Sequence, residues 1–141
     1  MKSLLKYALI LIIPYLSFAQ NTKDVGFLKD MKYLELATRI NCDSTTGTTI
    51  EARICLNIEL RKVDSIMLSD FNQFLKKIDN DSLKNVFKDY QANWESERKS
   101  ISLLKCEGLD GGAEANTYMY SMIEHTKLRI KAIRKILEEL Y

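Results

Sequence analysis

"TIEARICLNIELRKVDSIMLSDFNQFLKKI", residues 49–78, decides the fold. Its apolar residues Leu56, Leu60, Val63, Met67, Phe71, Phe74 and Ile78 recur at steps of 4, 3, 4, 4, 3 and 4. An α-helix turns once in 3.6 residues, so such steps keep every one of these side chains on a single face. An exposed strand would instead alternate apolar and polar residues, and no stretch of the chain does so. A helix this long with one apolar face needs neighbours to cover it.

Neighbours follow at the same spacing. "DNDS" at 79–82 interrupts the pattern, and Asp81 or Ser82 is suited to cap the next helix by accepting a bond from a free N–H. Leu83, Phe87, Tyr90, Trp94, Ile101 and Leu104 then continue at helical steps, with Arg98 occupying the gap. "EGLDGG" at 107–112 ends that helix, its glycines Gly108, Gly111 and Gly112 reading as a helix C-terminus and turn. The last row is Met119, Ile123, Thr126, Ile130, Ile133, Leu137 and Leu140. Upstream, residues 24–40 predict a shorter helix with Phe27, Met31 and Leu34 on one side, its start weakened by Gly26. The turn formers of "NCDSTTGTT" then separate it from the long helix. The expected class is all-α: a small antiparallel helical bundle of three long helices plus a shorter N-terminal one.

Composition agrees with that class and narrows the compartment. Lys2 and Lys6, the apolar run "YALILIIPYLSF" and Ser17-Phe18-Ala19 read as a signal peptide over residues 1–19, cut before Gln20. The run is short for a bilayer span, and no cysteine follows the cut to carry a lipid, so no membrane anchor is expected. The implied location is the periplasm or the extracellular space, with residues 20–141 as one domain. The chain has 21 Lys+Arg against 19 Asp+Glu; losing Lys2 and Lys6 leaves 19 of each sign. A neutral mature chain has no long-range field for nucleic acid or an anionic membrane, and both are set aside as partners. Pro14 is the single proline, so the mature part has none, and glycines number five in the whole chain. Few breakers among many Leu, Lys, Glu and Ile residues favour helix throughout.

A search for chemistry finds little. His125 stands between Glu124 and Thr126 without HExxH or another metal spacing, and reads as an ordinary helix residue. Asp79 and Asp81 could open a calcium loop, but the later ligands, the turn glycine and the closing glutamate are absent. The glycines at 108–112 follow no strand and precede no GK[ST], so they form no phosphate cradle. No serine or cysteine sits in the pattern of an activated nucleophile. No catalytic residue, metal ligand or cofactor is expected, and the chain does not read as an enzyme.

What remains is a spaced set of unlike residues. Thr48, Glu51 and Cys55 stand as Thr-x-x-Glu-x-x-x-Cys, with Asp64 nine residues on and Cys42 upstream in "NCD". "QANWESER" places Gln91, Trp94 and Arg98 as Gln-x-x-Trp-x-x-x-Arg; Gly111-Gly112 follow, then Thr126 and Arg129 as Thr-x-x-Arg. In order and spacing this resembles the LprI-type lysozyme-inhibitor family, small exported helical domains with cysteine staples. The resemblance runs from residue 41 to about residue 137.

These residues make physical sense beside the resemblance. Gln91, Trp94 and Arg98 lie at i, i+3 and i+7 and share one helix face. Arg98 interrupts an apolar row at a core-facing position and needs a buried acid or carbonyl, for which Asp64 and Glu51 are candidates. Internal architecture is the favoured role for these motif residues. Cys42 and Cys55 flank a segment that a disulfide can close, worth about 3 kcal/mol by loop entropy, and exported cysteines tend to be oxidised. That leaves Cys106 as the free thiol, either buried or open to an intermolecular bridge.

Departures from the family are equally specific. Its second disulfide would use the positions of Ser102 and Ser121, both serine here, as though the bridge were lost as a unit. The turn at Glu107–Gly112 must therefore hold by packing alone. The family's Leu-Asn-x-x-Tyr after the aspartate is Met67-Leu68-Ser69-Asp70-Phe71, which keeps the apolar register and drops the asparagine.

The resemblance implies an exported inhibitor that blocks a muramidase by protein–protein binding. Its contact surface would be one of two loops, Asp43–Thr48 or Glu107–Gly112, with the first preferred for its disulfide. Attraction to a basic lysozyme would have to come from a local acidic patch. The alternative is a non-inhibitory envelope module of the same fold that binds another protein. A small-ligand carrier is a third class and would require an apolar pocket around Trp94.

Overall fold

The structure, a computed structural model, describes residues 39–140. Three helices account for most of them: α1 over Thr49–Lys77, α2 over Asp81–Leu104 and α3 over Gly111–Leu140, of 29, 24 and 30 residues. No strand occurs among the described residues. All three helices belong to one unit, Tyr33–Tyr141. The shorter helix expected over residues 24–40 lies outside the described residues except for Arg39 and Ile40, which are turn and coil.

Each helix end has a local cause. Thr48 is extended (φ −71°, ψ 150°) and its hydroxyl accepts from the Glu51 N–H, while the Glu51 carboxylate accepts from the Thr48 N–H. This reciprocal capping box satisfies two N–H groups that a helix start leaves without partners. Extended backbone at Ile78 stops α1. The cap of α2 is Asn80, one residue before the expected Asp81 or Ser82, because its Oδ1 reaches the Leu83 N–H at 3.0 Å. Asp81 sits instead in the first turn and pairs with Lys84 at 3.0 Å. Of the three glycines read as a helix end, only Gly108 (φ +78°) belongs to the exit from α2. Gly111 and Gly112 open α3.

Side-chain pairs give the topology. Going up α1, Asp64, Met67 and Phe74 meet Arg98, Gln91 and Phe87 in descending order on α2. Ser102, Arg98 and Gln91 of α2 meet Ser121, Thr126 and Arg129 in ascending order on α3. The bundle therefore runs up, down, up, with sequential neighbours antiparallel and α1 parallel to α3. Backbone approach is closest between α1 and α3.

That closest seam is apolar. The apolar residues buried from α1 and its cap are Ile54, Leu60, Val63, Met67, Phe71, Phe74 and Ile78, of which Met67 and Phe74 also meet α2. From α3 they are Ala115, Tyr118, Met119, Met122, Ile123, Ile130 and Ile133. Leu56 is only half-buried, since the stripe begins at Ile54 and Asn57, one step round the helix from the expected start.

Helix α2 departs further from the apolar row read for it. Tyr90 is 55% exposed and Leu104 68%, Leu83 is exposed as well, and Phe87, Trp94 and Ile101 are half-buried. Its buried residues are Gln91, Arg98 and Ser102. These lie at i, i+7 and i+11, one stripe of a helix. The face that α2 turns inward is polar.

Candidate functional site

The first element is the entry to α1. A disulfide joins Cys42 to Cys55, with α-carbons 5.5 Å apart, and ties the coil before the helix to its second turn. Within that coil the Asp43 N–H donates to Asn41 Oδ1 at 3.0 Å. The Glu51 Oε2 gathers three donors: the Thr46 hydroxyl at 2.7 Å, the Thr46 N–H at 3.0 Å and the Thr48 N–H at 3.2 Å. The Thr46 hydroxyl foremost, with Thr48 beside it, holds the Glu51 carboxyl below its ordinary value. Thr48 and Glu51 therefore order a loop as well as cap a helix.

The second element lies where the three helices meet. Arg98, 6% exposed, donates from one Nη1 to Asp64 Oδ1 and to the Thr126 hydroxyl, each at 2.5 Å. Thr126 donates onward to the Met122 carbonyl at 2.8 Å. Of the two acids considered for Arg98, Asp64 is its partner, because Glu51 is committed to the cap. Gln91 accepts from Arg129 Nε at 3.0 Å and points its amide nitrogen at Met67 Sδ, 3.1 Å away. The Trp94 ring carries both guanidinium groups, Arg98 at 4.9 Å and Arg129 at 5.5 Å, and Arg129 also lies over Tyr90 at 4.6 Å. A ring's negative face attracts a cation, more so when both are out of water. These contacts occupy the space beside Trp94 that a ligand carrier would need. Gln91, Arg98, Thr126 and Arg129 are all buried, so their bonds join helices and do not face a partner.

The third element is the end of α2 and the start of α3. Ser102 and Ser121, both buried, bridge the two helices by a hydrogen bond of 3.1 Å between hydroxyls. One turn on, the free Cys106 thiol is buried and donates toward the carbonyls of Ser102 at 3.2 Å and Glu114 at 3.4 Å. Burial, and then the Glu114 charge, push this thiol above its ordinary value, which disfavours the reactive thiolate. An intermolecular bridge has no access to it. Gly111 starts α3 at φ +53°, and a Cβ on Gly112 would stand 2.7 Å from Thr49 Cγ2 and 3.2 Å from Arg53 Nη2. Gly112 is thus a close-approach residue, placing α3 against the first turn of α1.

Among the described residues no three His, Cys, Asp or Glu side chains cluster as a metal site, and no helix is long and apolar enough to cross a membrane. The sequence profile described as "Lysozyme inhibitor LprI" matches residues 41–133. The chain belongs to the LprI lysozyme-inhibitor family. The family is one of inhibitors, and its spaced residues are here the cap, the staple and the buried polar cluster of a three-helix frame. No curated protein and no solved structure matches the chain.

One relationship escaped the linear reading. The two loops weighed there as alternatives, before α1 and between α2 and α3, lie at the same end of this LprI bundle. An up-down-up order requires it, and the Gly112–Thr49 approach gives its residue-level form.

Proposed function

We propose that the mature chain, residues 20–141, is exported and inhibits a lysozyme-type muramidase by binding it as a protein. The family match over residues 41–133 is the observation that carries this reading. A muramidase cleaves with two carboxylates in an open cleft. A rigid body seated across that cleft excludes the glycan and needs no chemistry of its own. The frame supports such a role: helices locked by buried bonds carry, at one end, a loop held by a disulfide and by Glu51. Ordering a loop before binding lowers the entropy lost on association.

The test is lysis of a cell-wall suspension by several lysozyme types, with and without purified residues 20–141. Slowed clearing with at least one enzyme is expected. Undiminished lysis by all of them at micromolar protein overturns the proposal.

A further inference from the structure

We infer that residues 41–48 and 105–112 act together as a two-loop tip that seats in the substrate cleft of a cationic muramidase. This deepens the inhibitor reading above and rests on it. The topology puts both segments at one end, and the missing Cβ of Gly112 lets the start of α3 press on Thr49 and Arg53 in the first turns of α1. The first loop is stapled. The second, which has no disulfide, is anchored from beneath by Cys106 and closed by the Leu109 N–H donating to the Cys106 carbonyl at 2.9 Å. Both loops are therefore fixed relative to the same helix start, as one surface.

The chemistry of that end selects its occupant. Asp43, Glu107 and Asp110 are exposed, against Lys105 as the single base of the two segments. The tip thus carries two net negative charges on a mature chain that is neutral as a whole. Ile50, Leu104 and Leu109 expose apolar side chains at the same end, at 58%, 68% and 41%. An acidic, partly apolar convex end complements a basic-rimmed concave one, where charge sets the encounter and apolar contact holds the complex. The far end is mixed in charge. There Lys76, Lys84 and Lys88, with Asn72 and Leu75, line an open cleft of about 400 Å³, beside exposed Asp79 and Asp81, the latter paired with Lys84. The acidic excess of the two loops thus distinguishes this end from the mixed far end.

The experiment compares full mature protein with two variants in the lysis assay, at low and moderate salt. The tip variant is Asp43→Asn with Glu107→Gln and Asp110→Asn; the far-end variant is Lys76→Gln with Lys88→Gln. All five side chains are exposed, and a thermal melt checks that each variant folds. The tip variant is expected to need about tenfold more protein for equal inhibition and to lose most of the salt dependence. The far-end variant should inhibit as the parent does. A tip variant as potent as the parent, or a far-end variant impaired to the same degree, overturns the two-loop tip and leaves the inhibitor reading standing. Failure of the parent itself to inhibit overturns both.

Discussion

The α1–α3 seam and the inner face of α2 solve the same problem, holding helices together, with opposite materials. The seam is mostly apolar, and apolar burial is strong but nearly indifferent to direction. The α2 face offers Gln91, Arg98 and Ser102, whose interhelix bonds form at one rotation and one register only, although the Arg98 Nε stays buried without a partner. The difference assigns the seam most of the folding free energy and assigns α2 the uniqueness of its docking.

Deleting methyl groups from the seam tests the first half of that contrast. Ile133→Ala, at a site 2% exposed, should cost about 3–4 kcal/mol, read as a lowered urea midpoint with unchanged slope. The second half is tested by a buried charge left without its partner. Asp64→Ala should cost about 2–3 kcal/mol; the upper figures for buried pairs do not apply because Asp64 is 38% exposed and water screens it. Arg98→Met, which removes the charge and keeps an apolar body, should cost distinctly less than Asp64→Ala. Equal losses would mean that Arg98 contributes through packing, and the contrast between the two faces would fall.

A covalent link should blur the contrast. Ser102→Cys with Ser121→Cys, made with Cys106→Ala to prevent mispairing, replaces a directional hydroxyl pair by a bond. Oxidised, this variant should gain about 2–3 kcal/mol over Cys106→Ala alone, measured as a higher melting temperature with the Cys42–Cys55 bond intact in both. The smallest effect lies at the α1 entry. The Glu51 carboxyl is held below its ordinary value of 4.5, so its contribution is complete above that value and is lost as pH falls through the lower folded-state value. Acid unfolding of Glu51→Gln should therefore be flatter below pH 4.5 than that of the parent.

How much of this was legible follows from the same two materials. The α1 row and most of the α3 row could be read from spacing because their buried faces are apolar. The α2 row could not: Leu83, Tyr90 and Leu104 mark its outward and edge positions, while Arg98, which looked like an interruption, is the centre of the buried stripe. Apolar periodicity finds a buried face only when that face is apolar. The family motif supplied what periodicity missed, since Gln91, Arg98, Thr126 and Arg129 are the residues of the polar cluster. The role of Gly112 was hidden because a glycine after a turn reads as part of the turn. Its function is visible only against Thr49, 63 positions away in the chain.

The burial of Cys106 bears on how the chain acquires its bond. Three cysteines allow three pairings, and the native one joins residues separated by 13 positions, the shortest loop of the three. Shorter loops close at lower entropic cost, so oxidation of the unfolded chain is biased toward the native pair. In the folded chain the third thiol is buried, and that burial raises it above its ordinary value, which disfavours exchange with the finished bridge. Burial of the spare nucleophile thus protects the correct bond in the folded chain.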